Sequence, residues 1–599
     1  MENINLLLKK SIKDAFLSLY GLTIEEENIS ISPTKKEFKG DFTLVIFPFL
    51  KQTKQPIDVL GEKIGNYIKE NCNFIEGYNQ IGGFINFVVS KNYWITFIKE
   101  NSKNEDFGLQ NKRNEQKPIV IEYSSPNTNK PLHLGHIRNN LLGWSIAQIL
   151  KAGGHEVKKV NLVNDRGIHI CKSMIAWQLF GNGQTPNNSN IKGDHLVGKY
   201  YVLFDKEYKK EIKQLMDKGI EEEDAKKSAP ILLQAQDMLR KWENKDEETI
   251  ALWKKMNSWV YQGFDTTYKN LGIDFDKTYY ESQTYLLGKE IVEEGLKKGI
   301  LFKKEDDSIW CDLKDEGLDE KLLIRKDGTS VYMTQDLGTA LLRHNDFNSD
   351  NLIYVVGNEQ NYHFDVLKII LKKLGFLWAE NIYHLSYGMV ELPQGKMKSR
   401  EGTVVDADDL IEEMIENAQQ QTKEHGKENF SKDELDSLHK TLALGALKYF
   451  ILKVDPQKNM LFNPKDSIDF NGNTGPFIQY TYARICSLLK KAEQAFNINI
   501  KEEKIENNLE ISEKELEIIR ILYQYPSIIV EACRVFSPAI IANYAYDLSK
   551  AFNAFYQETN ILREKDQNLV ILRLYISLFV GNIIRSSMSL LGIEVPNRM

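Results

Sequence analysis

The sequence predicts a multidomain α/β protein. Its expected parts are a doubly wound parallel-sheet core with a helical insertion, a small N-terminal α/β domain and a C-terminal all-α bundle. Three observations carry this reading. The chain has 599 residues, more than one hydrophobic core usually organises. From Pro118 a strand, a loop, a long helix and a second strand follow in turn, the order from which parallel sheets are built. From about residue 410 the apolar pattern is almost wholly helical.

Residues 1–110 are expected to form the first domain. "INLLLKKSIKDAFLSLYG" has helical spacing and stops at Gly21. "DFTLVIFPFL" and "GGFINFVVS" are rich in β-branched and aromatic residues and predict strands. "KENSKNEDFGLQNKRNEQK" is polar and aperiodic, a linker. The core is expected over 117–410. "PIVIEYSS" gives a short buried strand over 118–123, and a helix follows from about 136 to 152. "GGHEVKKVNLVNDRG" gives a turn, a second strand and a polar strand end. Residues 175–270 are charged and helical in pattern, an insertion. The alternation resumes with "SIWCDL", "SVYMTQDLGTALLRH", "NLIYVVGNEQ" and "NIYHLSYGMVEL". Residues 411–599 are expected to be a helical linker and bundle, without an internal repeat.

Composition excludes some classes. A formal net charge of -7 gives no global basic signature, so any nucleic-acid contact must rest on local patches. Cys72, Cys171, Cys311, Cys486 and Cys533 form no CxxC pair, which argues against a thiolate zinc site or a disulfide framework. "SIIVEACRVFSPAIIANYAY" is interrupted by Glu531 and Arg534, so no membrane span is expected. The N-terminal apolar run is too short for a signal peptide. The expectation is a soluble cytoplasmic protein.

One short segment concentrates the chemistry. In "SSPNTNKPLHLGHIRNN", His133 and His136 stand three apart at the mouth of a helix, so one helical turn brings both to one face. Unpaired backbone N–H groups and the helix dipole favour anions there. Gly135 leaves room for a flat base or ribose. The pattern points to a nucleotide triphosphate and not to a metal, since a zincin helix needs a Glu and i, i+4 histidines. A plain helix cap with two surface histidines is the alternative. A second segment, "ELPQGKMKSREGTVVDADDL", carries Lys396, Lys398 and Arg400 between glycines. Such a loop can stabilise the charge of a leaving pyrophosphate. Taken alone, it reads more simply as a solvated surface loop.

HLGH resembles the "HIGH" signature of class I aminoacyl-tRNA synthetases, and GKMKSR resembles their "KMSKS" loop. "IEYSSPNTNKPLHLGHIRNN", "VNDRG", "YMTQD", "NEQNYHF", "GNTGPFIQYTYARI" and "LLGIEVPNRM" resemble arginyl-tRNA synthetases specifically, over nearly the whole chain. The resemblance implies a Rossmann-type core and a two-step reaction. L-arginine and ATP give arginyl-adenylate and pyrophosphate, and the arginyl group then passes to the terminal 2′-OH of tRNA-Arg. It also implies Mg²⁺ accompanying ATP, no dedicated metal site, and bound tRNA during activation.

Carried over residue by residue, Glu122 and Asn127 match positions that hold the ammonium and carboxylate end of arginine, and Ser124 joins that set. Tyr332 and Asp336 match the guanidinium grip, and Gln360 a further arginine contact. The chemistry agrees, because a carboxylate can take two parallel guanidinium N–H bonds that lysine cannot supply. A helix N-cap before "LGTALLRH" is the other reading of Asp336. His133 and His136 bind ATP phosphates, with Gly135 under the adenosine. Asn164, Asp165 and Gly167 are either cleft residues or strand-end turn residues. His363 is expected to be a core or surface histidine, with a place near the nucleotide as the alternative.

The second signature departs from its usual form. Lys398 falls where the pattern has Ser, so Lys396, Lys398 and Arg400 all stand as pyrophosphate contacts, with Lys398 preferred. The resemblance assigns anticodon recognition to the C-terminal bundle and the tRNA elbow to the N-terminal domain. Among Phe477, Tyr480, Tyr482, Tyr544, Tyr546, Phe552, Phe555 and Tyr556, most must be core by composition. Tyr480 and Tyr544 are the candidates for base stacking, and Lys39 of "KKEFKG" for phosphate contact. The rival readings are another class I synthetase, a small-molecule nucleotidyltransferase, and an inactive synthetase-like tRNA-binding protein. A monomer is expected.

Overall fold

Five parallel strands form the central sheet of the computed structural model. Their spatial order is Ile382–Tyr387, Asn351–Gly357, Ile119–Glu122, Val157–Val163 and Lys277–Tyr280. The structure describes residues 4–35, 37–113, 116–391, 405–423, 430–500, 502–506 and 509–599. The chain starts the sheet at Ile119–Glu122, builds outward to one side, and returns to lay Asn351–Gly357 on the other. The order therefore reverses beside Ile119–Glu122, and ligands of doubly wound sheets bind outside the strand ends at such a point. Glu122, Val163, Tyr280, Gly357 and Tyr387 mark that edge.

The helix Leu134–Ala152 lies on this sheet and is buried almost all round, as a helix between two layers must be. Its other side meets the C-terminal bundle, where the Ser145 hydroxyl donates to Leu590 O at 2.8 Å. Gly143 allows the close approach to the sheet, since a Cβ there would come within 2.4 Å of Tyr123 Cβ. Between Val157–Val163 and Lys277–Tyr280 every regular element among the described residues is helical, the longest being Gly193–Met216 and Glu247–Leu271.

One expectation needs correction, and one alternative reading is removed. "SIWCDL" does not extend the parallel sheet. Ile309–Cys311 is the middle strand of a separate antiparallel sheet with Leu301–Lys303 and Lys321–Ile324. A short apolar run looks alike in either setting, and connections of five and nine residues, with no crossover helix long enough to return the chain in parallel, go with the antiparallel pairing. The helix Tyr332–Phe347 begins at Tyr332 with Val331 as its N-cap, so Asp336 lies inside the helix and caps nothing.

The first hundred residues hold a four-stranded antiparallel sheet covered by the helices Ile4–Tyr20 and Ile57–Asn71. They pack against the far end of the chain. Trp94 and Phe97 lie edge-on to Tyr523, at 5.6 and 5.4 Å between centroids, and Phe97 and Phe107 meet Phe579. Asn582 donates to Ser102 O at 3.0 Å, and Arg520 pairs with Asp41 at 2.5 Å. The C-terminal part is a helical bundle. "SIIVEACRVFSPAIIANYAY" falls into two helices, Glu513–Val535 and Pro538–Glu558, broken where Phe536 adopts φ +51°. Gln567–Leu590 is long and apolar enough to cross a membrane, but it is mostly buried inside the bundle.

Candidate active site

The first strand ends in an unusual backbone. Ser124 and Ser125 both adopt positive φ, +80° and +46°, a conformation that costs about 1–3 kcal/mol per residue unless the surroundings hold it. Two buried asparagines do so. Asn139 Oδ1 accepts from Ser124 N at 2.5 Å, and Asn161 Oδ1 accepts from Ser125 N at 3.0 Å. Asn139 also donates to Val355 O at 2.7 Å, so one side chain of the helix spans the point where the strand order reverses. Beyond the turn, Asn164 N donates to Pro126 O and Thr128 N to Asn164 O. The loops after the first two strands are thereby joined.

His133 and His136 cap the helix. Gly135 N donates to His133 Nδ1 at 3.1 Å, and His133 N donates to His136 Nδ1 at 3.2 Å. This is a capping box built from two imidazoles, in place of the usual Ser/Thr and Glu/Gln. Burial and the neighbouring Lys130 lower the His133 pKa to about 3. His136 is also pushed well down, by burial and then by His133 and Lys130. With Nδ1 accepting in a neutral ring, the proton sits on Nε2. Both rings therefore offer Nε2–H as donors, and the cap and donor readings of the motif hold together. A Cβ at Gly135 would stand 3.0 Å from His133 Cε1, so the glycine leaves room for that ring.

The flanks of the second basic segment meet this cap. Leu134 N donates to Val405 O and Ala407 N to Leu132 O, with His133 bridged to Asp406. On the other flank, Arg138 of the cap helix donates to Met389 O, and to Pro456 O and Lys458 O. Lys396, Lys398 and Arg400 lie outside the described residues.

A cleft of about 230 Å³ opens at the same edge of the sheet. It brings together Asn127, Asn164, Gly167 and Tyr332 from distant parts of the chain. Of the "VNDRG" residues, Asn164 and Gly167 are cleft residues. Asp165 is a buried anchor instead, accepting from Ser282 N, the Ser282 hydroxyl and the Tyr261 hydroxyl. Tyr332 is 72% exposed, and Asp336 lies one turn further along the same helix. Asp336 accepts from His363 Nε2 at 2.6 Å, so His363 is neither core nor idle surface. Gln360 is exposed just before the helix Asn361–Lys373. Glu122, at the end of the first strand, is buried and does not itself line the cleft; it is ion-paired with Arg343 and accepts from the Ser125 hydroxyl at 3.1 Å. Burial pushes its carboxyl up, and Arg343 opposes that. Ser124 is also buried, with its hydroxyl bound to Tyr268 OH at 2.6 Å. It does not line the cleft, which corrects its expected side-chain contact with arginine.

The sequence reading missed three residues. Glu281 lines the cleft one position past the strand Lys277–Tyr280, and burial raises its carboxyl to about 7. Arg166 lines it from the loop after the second strand. Arg343 neutralises Glu122 from beneath. A residue just beyond a strand's carboxyl end was the available signal for Glu281 and Arg166. Arg343 left none, since its partner lies far along the chain.

In the C-terminal bundle, Tyr480 is 43% exposed, with the Arg484 guanidinium 4.8 Å from its ring and 5.2 Å from that of Tyr556. Tyr544 requires correction: it is buried, its hydroxyl donates to Ile521 O at 2.9 Å, and its ring stacks on Tyr525. No base can reach it. Lys39 is exposed.

Known proteins align with this architecture along the whole chain. Residues 100–463 match the family "tRNA synthetases class I (R), catalytic domain". Residues 3–89 match "Arginyl tRNA synthetase N terminal domain", and 478–599 match "DALR anticodon binding domain". The chain is 55% identical to the arginine–tRNA ligase of Phocaeicola vulgatus, covering 100% of both chains. It is 54% identical to that of Flavobacterium psychrophilum, covering 99% of both. Its fold is that of the Thermus thermophilus arginyl-tRNA synthetase structure, with TM-score 0.80 at 21% identity over 99% of this chain and 100% of that one. With its cap of two histidines and its cleft at the reversal of the sheet, the chain belongs to the arginyl-tRNA synthetase family of class I aminoacyl-tRNA synthetases.

Proposed function

We propose that this protein is an arginine–tRNA ligase that works in two steps. An arginine carboxylate oxygen attacks the α-phosphorus of ATP, and the bond to pyrophosphate breaks. The terminal 2′-OH of tRNA-Arg then attacks the activated carbonyl, and AMP leaves. The observation that carries this is that one edge of the sheet holds both the His133–His136 cap, whose Nδ1 atoms are taken by backbone N–H groups, and a cleft lined by Asn127, Tyr332 and the Glu281 carboxylate. The Nε2–H donors this leaves suit triphosphate oxygens, and the cleft suits a guanidinium.

In this reading His133 and His136 hydrogen-bond the phosphates, and Gly135 lies beneath the adenosine. Asn127 meets the carboxylate end of arginine, and Glu122 its ammonium. Tyr332, Asp336 and Glu281 receive the guanidinium, with Gln360 at the rim. Lys396 and Lys398 act on the leaving pyrophosphate, a reading supported by the contacts of the cap helix with Met389 and Val405 on either side of their segment. Mg²⁺ would travel with the ATP phosphates. Near the cap, Asp194, His195 and Asp408 are spaced to ligate an ion. Lys192 Nζ already bonds Asp194 at 3.1 Å and Asp408 at 2.5 Å, so it takes the cation's place. We place the enzyme in the cytoplasm as a monomer, consistent with five unpaired cysteines.

The test is ATP–pyrophosphate exchange with each amino acid, with and without tRNA-Arg. Exchange with arginine alone among amino acids is expected, and only in the presence of tRNA-Arg. Exchange with another amino acid would overturn the guanidinium pocket, and none at all from folded protein would overturn the activity.

For the anticodon end, Tyr480→Ala is expected to raise the tRNA KM about tenfold, since an exposed ring stacking a base contributes ~1–3 kcal/mol. Tyr544→Phe should leave the tRNA KM unchanged. Equal effects in the two variants would remove Tyr480 as a contact.

A further inference from the structure

Arg166 stands oddly in a cleft meant for a cation, because a guanidinium in the wall repels the one that binds. Its surroundings explain its presence. Asp165 accepts from Ser282 N at 2.8 Å and from the Ser282 hydroxyl at 2.7 Å. The Arg166 guanidinium carbon lies over the Tyr285 ring, 3.9 Å from its centroid. The two loop residues thus grip the short helix Glu281–Thr284 and its C-cap at two points, and Glu281 begins that helix. Both Arg166 and Glu281 line the cleft. Arg166 Nε is buried and has no hydrogen-bond partner among the described residues, so its donor capacity is not spent on structure alone.

The far side of Arg166 belongs to the helical insertion. Glu243 pairs with it at 3.3 Å, and the Trp242 ring lies 5.3 Å away. Trp253 Nε1 donates to Asp165 O at 2.6 Å, and Asn257 donates to the same oxygen. The insertion therefore braces the dipeptide that grips Glu281.

We infer that Arg166 is a positioning residue that holds Glu281 in place and ionised for the guanidinium of arginine, and so links the helical insertion to amino-acid recognition. The inference rests on the reading of Glu281 as a guanidinium contact. The charges facing Glu281 explain the need. Asp165 and Asp336 push its carboxyl towards protonation together with burial, and Arg166 opposes them. Arg325, His169 and Tyr332 complete the cleft around it, and Glu243 faces Arg166 from behind. A carboxyl near 7 binds a cation only when deprotonated, so arginine affinity should fall with falling pH. Loss of Arg166 moves that fall to higher pH.

The experiment is the pH dependence of arginine kcat/KM and of ATP KM for Arg166→Gln, Arg166→Lys and Glu281→Gln, in tRNA-dependent aminoacylation by the full chain. For Arg166→Gln the acidic limb should rise by about one pH unit and the arginine KM near neutrality about tenfold. The ATP KM should stay within about twofold, and activity should recover near pH 9. Arg166→Lys keeps the charge and should keep the limb nearer its native position. In the double variant with Glu281→Gln, the effect of Arg166 on the limb should vanish. A loss equal at every pH, or a joint rise of arginine and ATP KM, would overturn the inference. If Glu281→Gln leaves the arginine KM unchanged, the reading of Glu281 fails. If Glu281→Gln raises it and Arg166→Gln leaves the limb in place, the inference alone fails.

Discussion

His136→Ala is expected to lower kcat for adenylate formation about 10²–10³-fold and to change the arginine KM by less than about threefold. The expectation rests on the tautomer. His136 Nδ1 is committed to His133 N, so Nε2–H is the donor left for phosphate oxygens. A donor fixed before the reaction stabilises charge as it builds and needs no reorganisation. Alanine also removes the acceptor that closes the cap, so part of the loss is orientational. His136→Asn separates the two effects, because its carbonyl can accept from His133 N while its amide lies too short for the phosphate. It should preserve folding and recover little of kcat. Steady-state pyrophosphate exchange gives both parameters. A rise in arginine KM as large as the fall in kcat would contradict the assignment to the triphosphate.

Asp336→Ala should raise the arginine KM about a hundredfold, since a hydrogen-bonded charged contact contributes ~1.5–3 kcal/mol. Asp336 follows Tyr332 by one helical turn, so both side chains leave the same face of the helix. His363 binds one of its carboxylate oxygens and fixes its direction. A site built this way rejects substrates lacking the guanidinium, because its own polar groups are then left unpaired. The variant should accordingly discriminate less between arginine and ornithine as competitors in the exchange assay. Unchanged discrimination would move the specificity to Glu281 or elsewhere.

Much of this was legible because the informative residues are local. The strand–loop–helix order around His133 is contiguous, and a sheet's reversal follows from such units. What the sequence hid was the use of each nitrogen. HLGH reads as phosphate donors or as a helix cap, and the fold assigns Nδ1 to the cap and leaves Nε2 for a ligand. Glu281 was missed because a long helical insertion separates its strand from the rest of the sheet. "KTYYE" was therefore never read as a strand end. Tyr544 was misplaced although Tyr544, Leu548, Phe552 and Phe555 recur at helical spacing and are all buried. That periodicity marks a core face, and aromatic content alone does not outweigh it.

The packing of the first hundred residues on the last helix sets a schedule for synthesis. Asn582 reaches back to Ser102, 480 residues earlier, and Phe97 and Phe107 are covered by Phe579. A ribosome adding about 5–20 residues per second takes roughly half a minute to a minute and a half to cross that interval. Until Tyr523 and Phe579 are made, the aromatic ledge of Trp94, Phe97 and Phe107 lacks the cover it has in the folded chain. Tyr523 covers part of this surface first and Phe579 the rest, so its burial proceeds in two instalments separated by more than fifty residues of synthesis.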